Sequence, residues 1–177
     1  MEPAILRTDR LVLDLPTAAD RALVVEYCRD PLFERFMTLP WPYQPSDADF
    51  FLEKLVPEGW ASGREPTWAL RLDGRFMGAI GWRAHGSSLG FWLGRPHRGN
   101  GYMTEAVSAV CDWLFAAGVA DIVNWECLLG NAASEGVARA AGFAITGEAP
   151  STIAFRDGSY PMALHGFISK DLAPAAN

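Results

Sequence analysis

Two short segments carry residue types whose spacing could do chemistry. The first is Arg98-Gly99-Asn100-Gly101-Tyr102-Met103-Thr104. Its two glycines allow positive φ and let backbone amides come close to a ligand. A helix that starts just after them offers unpaired N–H groups and the positive end of its dipole. Such a cradle suits an anion, a pyrophosphate above all, and Arg98 would add a fixed charge at the rim. The segment is not a Walker loop, because no Gly-Lys-Ser/Thr follows. It is not a dinucleotide fingerprint either, because Thr104 stands where a third glycine is needed. A plain glycine-rich turn before a helix is the competing reading. The second segment is Gly130-Asn131-Ala132-Ala133-Ser134. Asn131 can cap a short helix or point its amide at a ligand. Ser134, one turn further on, can bond back to the chain or donate to a leaving group.

The elements that must position these segments follow from periodicity and punctuation. Arg7 to Leu15 alternates, with Leu11, Leu13 and Leu15 on one face, which predicts a half-buried strand. Pro16 stops it, and Thr17 caps a predicted helix over 18–29. Further helices are expected near Pro31 and, capped by Ser46, over about 47–56. Between them Pro40, Pro42 and Pro45, interleaved with Trp41 and Tyr43, make a stiff aromatic loop. Residues 67–72, 75–84 and 88–93 read as an antiparallel meander punctuated by Asp73-Gly74 and His85-Gly86. Val107, Val110, Cys111, Leu114 and Phe115 then mark a helix ended by Gly118. A strand at 122–128, a helix at 132–141 and two closing strands, 144–155 and 160–169, complete the chain. The prediction is one α/β (α+β) domain over 1–177, with a mixed, mostly antiparallel sheet of about seven strands flanked by helices. Residues 171–177 are expected to form a flexible tail.

Composition narrows the class. The chain has 177 residues, of which 50% are hydrophobic, 12% aromatic and 20% charged, which excludes a disordered protein and suits one self-supporting core. A net charge of −6 argues against nucleic acid as a partner, and weakly suits a cationic substrate. Cys28, Cys111 and Cys127 are odd in number and sit in apolar stretches, so they read as reduced core residues of a cytoplasmic protein. No signal peptide or membrane span is expected. His85, His97 and His165 lack ligand spacing, so no metal is expected.

Taken together, "LRTDRLVLD", "LGFWLGRPHRGNGYMTEAV", "GNAASEGVARAAGF" and "RDGSYPMALHGF" resemble the GNAT N-acetyltransferases of the RimJ/RimL type, over nearly the whole chain. The resemblance implies that Arg98, Gly99, Asn100, Gly101, Tyr102, Met103 and Thr104 wrap the pyrophosphate of acetyl-CoA. It implies that main-chain groups of Trp92 and Leu93 pair with the pantetheine arm, with the Leu93 N–H polarising the thioester carbonyl. Asn131 and Ser134 match the family's Asn-x-x-Ser. Two positions depart from the family: Pro96 and Ala140 stand where side chains often assist the cofactor.

The implied reaction is direct attack of a primary amine on acetyl-CoA, with a peptide N-terminus or a small amine as acceptor. Ser134 is the candidate for the departing thiolate. Glu126, on the strand leading to Asn131, is the candidate base, although it could equally be a surface residue paired with an arginine. Glu65 is a second base candidate. Phe33, Trp41 and Tyr43 are expected at the acceptor pocket, where Trp41 and Tyr43 could face a cation; a satellite hydrophobic cluster is the alternative. An acidic groove around Glu34, Asp47 and Asp49 would favour cationic small molecules. A non-catalytic acyl-CoA-binding module is the rival function. A homodimer through the closing strands is a further expectation.

Overall fold

A computed structural model describes residues 1–171; the expected tail lies, but for Asp171, outside the described residues. The elements run β1 (Leu6–Arg7), β2 (Val12–Asp14), α1 (Arg21–Cys28), α2 (Pro31–Phe36), α3 (Pro45–Phe50), α4 (Val56–Ser62), β3 (Thr67–Leu72), β4 (Arg75–Arg83) and β5 (Ser88–Leu93). They continue with α5 (Tyr102–Ala116), β6 (Ile122–Leu128), α6 (Ala132–Ala140), β7 (Ala144–Pro150) and β8 (Met162–Ser169). The strands form one eight-stranded sheet in the order β1-β2-β3-β4-β5-β6-β8-β7. The eighth strand arises because the single strand expected at 7–15 is a hairpin that begins one residue earlier: Leu6 pairs with Leu13 and Arg7 with Val12 around a turn.

Every neighbouring pair is antiparallel except β5 and β6, which run parallel. That pair is joined only at Ser88–Asn124 and Leu89–Trp125. Beyond those two rungs the strands diverge, and the sheet opens into a wedge between Gly90–Leu93 and Glu126–Leu128. A wedge of this kind exposes backbone donors and acceptors that a closed ladder would consume.

Both faces of the sheet are covered. Trp68, Leu70, Met77 and Ile80 pack with Trp60 of α4 and Val107, Val110 and Leu114 of α5 in the larger core. Ala69 and Phe76 pack with Val24, Tyr27 and Cys28 of α1 and Phe33 of α2 in a smaller one. This double burial explains why β4 reads as a nearly continuous apolar run rather than an alternation.

Three local expectations change. Gln44, not Ser46, occupies the cap position of α3, and its N–H donates to Asp47 at 2.7 Å. The helical run then continues to Ser62 through a π turn at Phe51–Leu55. Pro57 lacks a donor and crowds the carbonyl four residues back, and the widened turn stands immediately before it. Finally, β7 stops at Pro150, and 151–161 leaves the sheet. Arg156 in that segment donates to the carbonyls of Met37 at 2.5 Å and Leu39 at 3.2 Å, and also to Glu34. It thereby binds the segment to the open carbonyl end of α2.

Candidate active site

The cradle is built from backbone. Gly99 and Gly101 take φ of +79° and +77°, which non-glycine residues resist. Gly101 occupies the cap position of α5, so no side chain satisfies the helix's first donors. The first backbone bond is Glu105 N–H to the Gly101 carbonyl, at 3.1 Å. The N–H groups of Tyr102, Met103 and Thr104 therefore have no intrahelical partner. Gly99, Gly101, Tyr102, Met103 and Thr104 line a cleft of about 590 Å³.

The opening of the chain buttresses this loop. The Arg10 guanidinium donates to the Asn100 carbonyl at 3.0 Å, pairs with Glu105 at 2.6 Å and lies 4.8 Å from the Tyr102 ring centroid. Thr8 also donates to Glu105. These bonds, with the Arg10 charge, outweigh the effect of burial and hold the Glu105 carboxyl below its ordinary pKa. Asn100 departs from its expected place. It does not line the cleft; its side chain turns back to the carbonyls of Arg98 at 3.0 Å and His97 at 3.3 Å, which staples the turn.

Arg98 is likewise more than a rim charge. Its Nε donates to the Leu93 carbonyl at 3.0 Å, and its Nη1 lies 2.8 Å from Asp30. Its Nη2 is a buried donor with no partner among the described residues, and the residue lines the cleft. A guanidinium that lines the cleft and keeps one buried nitrogen without a partner fits an anionic ligand. So does the uncapped helix end beside it.

Register decides which backbone groups face the wedge. The Gly94 N–H donates to the Met77 carbonyl at 2.8 Å, so Gly78 and Leu93 form a non-hydrogen-bonded pair. By alternation the main-chain groups of Trp92 turn to Ala79 on β4, whereas those of Phe91 and Leu93 turn toward β6 and the opening. This corrects the expectation for Trp92, whose backbone belongs to the ladder and whose ring packs edge-on to Phe33 and Phe76. The Leu93 N–H turns to the opening and has no partner among the described residues, and the Leu93 carbonyl accepts from Arg98.

A second cavity, of about 110 Å³, lies inside the wedge. It shares Phe36, Met37, Phe91, Asn131 and Ser134 with the larger cleft, so the two meet there. Asn131 caps α6, accepting from the Ser134 N–H at 3.2 Å. The Ser134 hydroxyl accepts from the indole N–H of Trp125 at 3.2 Å. With its oxygen oriented by a buried donor, the hydroxyl has its own proton to give, and the Cys127 sulfur is one acceptor within its reach. Trp125, whose strand position reads from the sequence as core, thus also supplies a side-chain bond to Ser134.

Glu126 lines the smaller cavity, but its carboxylate is saturated. It accepts from Ser151 Oγ at 2.5 Å, Thr152 N–H at 2.9 Å and Thr152 Oγ1 at 2.7 Å, with His165 Nδ1 at 3.6 Å. Burial pushes its pKa up, but these donors and His165 outweigh burial and leave it below the ordinary value. No arginine pairs with it among the described residues. Glu65 lines neither cavity and binds Arg83 Nε at 3.0 Å.

The acceptor expectations change most. Phe33 lines the larger cleft, beneath Arg98. Trp41 and Tyr43 line neither cavity; both pack in the smaller core, where Tyr43 is 3% exposed. Proline-stiffened aromatics at a helix junction found their burial partners within the domain. No acidic groove forms among the described residues either: Asp47, inside the first turn of α3, accepts from the Gln44 N–H, Asp49 pairs with Arg21, and neither lines a cavity, nor does Glu34.

Comparison with known proteins is decisive at this point. Residues 10–144 match the family model described as an acetyltransferase (GNAT) domain. The chain belongs to the GNAT acetyltransferase family. A search of curated proteins finds no match. Among solved structures, this GNAT chain is similar to RimL, a ribosomal L7/L12 α-N-protein acetyltransferase in complex with coenzyme A. That pair has 16% identity and a TM-score of 0.81, over 96% of this chain and 99% of that one. It is similar to the microcin C7 self-immunity acetyltransferase MccE, in complex with acetyl-CoA and AMP, at 18% identity and a TM-score of 0.79, covering 92% and 93% of the two chains. An acetyltransferase from Agrobacterium tumefaciens matches at 24% identity and a TM-score of 0.76, over 96% of each chain. At these identities the likeness establishes the fold. No helix of the described residues is long and apolar enough to cross a membrane.

Proposed function

We propose that this GNAT domain is an N-acetyltransferase of the RimJ/RimL type that moves an acetyl group from acetyl-CoA to a primary amine within a ternary complex. The observation that carries the reading is the meeting of the two cavities at Ser134: one runs to an uncapped helix end, the other into the open wedge. RimL and MccE, which resemble the chain in fold, are named as complexes with coenzyme A and acetyl-CoA, which supports the choice of donor.

Acetyl-CoA would supply the acetyl group as an activated thioester. The N–H groups of Tyr102, Met103 and Thr104, with Gly99, Gly101 and Arg98 Nη2, would hold its pyrophosphate. Phe91 and Leu93 would pair their main chain with its pantetheine arm. The Leu93 N–H would meet negative charge as it grows on the carbonyl oxygen. Ser134 would give a hydrogen bond to the departing sulfur. Glu126, whose two oxygens are held by Ser151 and Thr152, would add negative charge near the amine without taking its proton, and water in the wedge would take the proton.

The test is two-staged. Acetyl-CoA at 100 times its Kd should stabilise the fold by about 2.7 kcal/mol, read as a rise in Tm. Free-thiol release with N-terminal peptides and small amines should then report turnover. No shift at millimolar acetyl-CoA would remove the cradle assignment. A shift without turnover on any acceptor would leave the rival acyl-CoA-binding module.

A further inference from the structure

The cradle holds one donor whose direction its own residue does not fix. Gly101 takes φ +77° and ψ 0°, the values a type II turn requires at its third residue. Turning over the peptide plane between Asn100 and Gly101 converts that turn to type I, where the third residue has φ of about −90°. Glycine adopts either sign of φ about as readily, so Gly101 does not itself choose between the two. A ligand would feel the choice. The Asn100–Gly101 peptide is trans, so its carbonyl and its N–H point in opposite directions. Gly101 lines the cleft and Asn100 does not, and the Gly101 N–H has no partner among the described residues.

The choice is made from outside the cleft, by Arg10. Its Nη1 donates to the Asn100 carbonyl at 3.0 Å, and Arg10 lines neither cavity. The guanidinium is itself fixed. Its Nε and Nη2 both lie 2.6 Å from Glu105 Oε2, the Arg10 N–H donates to Glu105 Oε1 at 3.1 Å, and the Tyr102 ring carries its face. The bonds of the Asn100 side chain to Arg98 and His97 hold residue 100, but they leave the peptide plane beyond it free to turn. A flipped plane would break the Arg10 bond. It would also aim a carbonyl oxygen at the cleft, where phosphate oxygens need an N–H.

We propose that Arg10 is a positioning residue for the acyl donor: it locks the Asn100–Gly101 peptide with its N–H toward the cleft and so holds the loop in the one of two turn types that accepts a diphosphate. The proposal rests on the reading of this cleft as the acetyl-CoA site. It gives the turn that joins the first two strands a part in cofactor affinity, ninety residues before the loop it acts on.

Calorimetry on the parent, Arg10→Gln, Arg10→Lys and the double variant Arg10→Gln/Glu105→Gln tests it, with amide spectra to confirm that each is folded. Arg10→Gln should raise the Kd of acetyl-CoA about tenfold, as follows if the competent turn falls to about a tenth of the population. S-acetylpantetheine, which has the thioester arm without the diphosphate, should change by less than about twofold in an NMR titration. Arg10→Lys, with the charge and a single donor group, should lose less than Arg10→Gln. The double variant has the parent's net charge and should still show the loss, which separates the lock from simple charge attraction. The peptide plane is read directly in the ligand-free protein. Cross-relaxation between Asn100 Hα and the Gly101 amide proton is strong in the type II turn and should weaken in Arg10→Gln. The proposal is overturned if Arg10→Gln binds acetyl-CoA as the parent does, if S-acetylpantetheine weakens as much as acetyl-CoA, if the double variant recovers parental affinity, or if that cross-relaxation is unchanged. A parent protein that does not bind acetyl-CoA is a different result: it removes the cofactor reading, and this inference with it.

Discussion

The cleft at α5 and the cavity in the wedge share five residues yet are assembled differently. The first takes most of its polar wall from one continuous stretch, 91–104, and from a turn and helix at 130–137. Its chemistry is that of main-chain N–H groups, released by two glycines and a strand register. The second gathers Phe36–Thr38, Arg83, Ser88–Phe91, Trp125–Leu128, the Asn131–Ser134 turn and Ser151–Phe155 from six separate places. Its chemistry is that of side chains, each set by tertiary partners. Backbone sites tolerate sequence change around them, because an amide does not depend on its side chain. Pro96 and Ala140 can therefore replace helpful residues without removing the cradle. Side-chain sites change with single substitutions, which is how one fold accommodates different acceptors.

The sharpest way to break this contrast is through the aromatic loop that lies outside both cavities. Tyr43 is buried in the smaller core, so Tyr43→Ala should cost about 3–5 kcal/mol of unfolding free energy, as large-to-small aromatic changes in cores do. Denaturant titration reads the loss, and acceptor KM, measured where the variant is folded, should move less than about twofold. A tenfold rise in KM with stability intact would return the loop to the acceptor side.

At the junction, Ser134→Ala should lower kcat by about a hundredfold, the scale of a positioned proton donor, and leave acetyl-CoA affinity as it is. Single-turnover kinetics and a binding isotherm separate the two. Trp125→Phe, which removes the indole donor to Ser134, should reproduce part of the kcat loss. Full activity in Ser134→Ala would reduce Ser134 to a helix residue.

On the backbone side, Gly101→Val forces a branched side chain into φ near +77°, at a cost of about 1–3 kcal/mol. Acetyl-CoA affinity should fall by about tenfold or more, by calorimetry. Unchanged affinity would mean that the loop does not hold the cofactor.

These outcomes track what the sequence made legible. The meander, the α5 stripe and the Gly99–Gly101 pair depend on local periodicity and on φ, and they fold where their patterns place them. The wedge between β5 and β6 is a property of pairing across thirty-odd residues of chain, and no local pattern announces where two parallel strands will part. Trp92 shows the cost: its place beside the loop was right, but which of two neighbouring residues turns its amides outward is set by register alone. Trp41 and Tyr43 fail for the opposite reason, since an exposed binding loop and a buried satellite core have the same composition. Arg10, Thr8 and Arg156 act on partners some ninety or more residues away, a distance at which a single sequence carries no signal.

The smallest expected effect bears on Glu126, which lines only the smaller cavity. Its hydrogen bonds are complete without substrate, so Glu126→Gln should change kcat by less than about threefold, against the hundredfold or more that a true base would show. Its contribution lies instead in pH-dependent stability. The folded pKa is lowered, chiefly because the bonds from Ser151 and Thr152 outweigh burial, from an ordinary value of 4.5. Stabilisation from this carboxylate is therefore fully present above the unfolded value and is lost as pH falls through the folded one. Urea midpoints taken from about pH 6 down to about pH 3 should decline less steeply in Glu126→Gln than in the parent protein. A parallel decline in both, together with a collapse of kcat in the variant, would make Glu126 the base and move the acceptor cavity's chemistry from the wedge waters onto this one carboxylate.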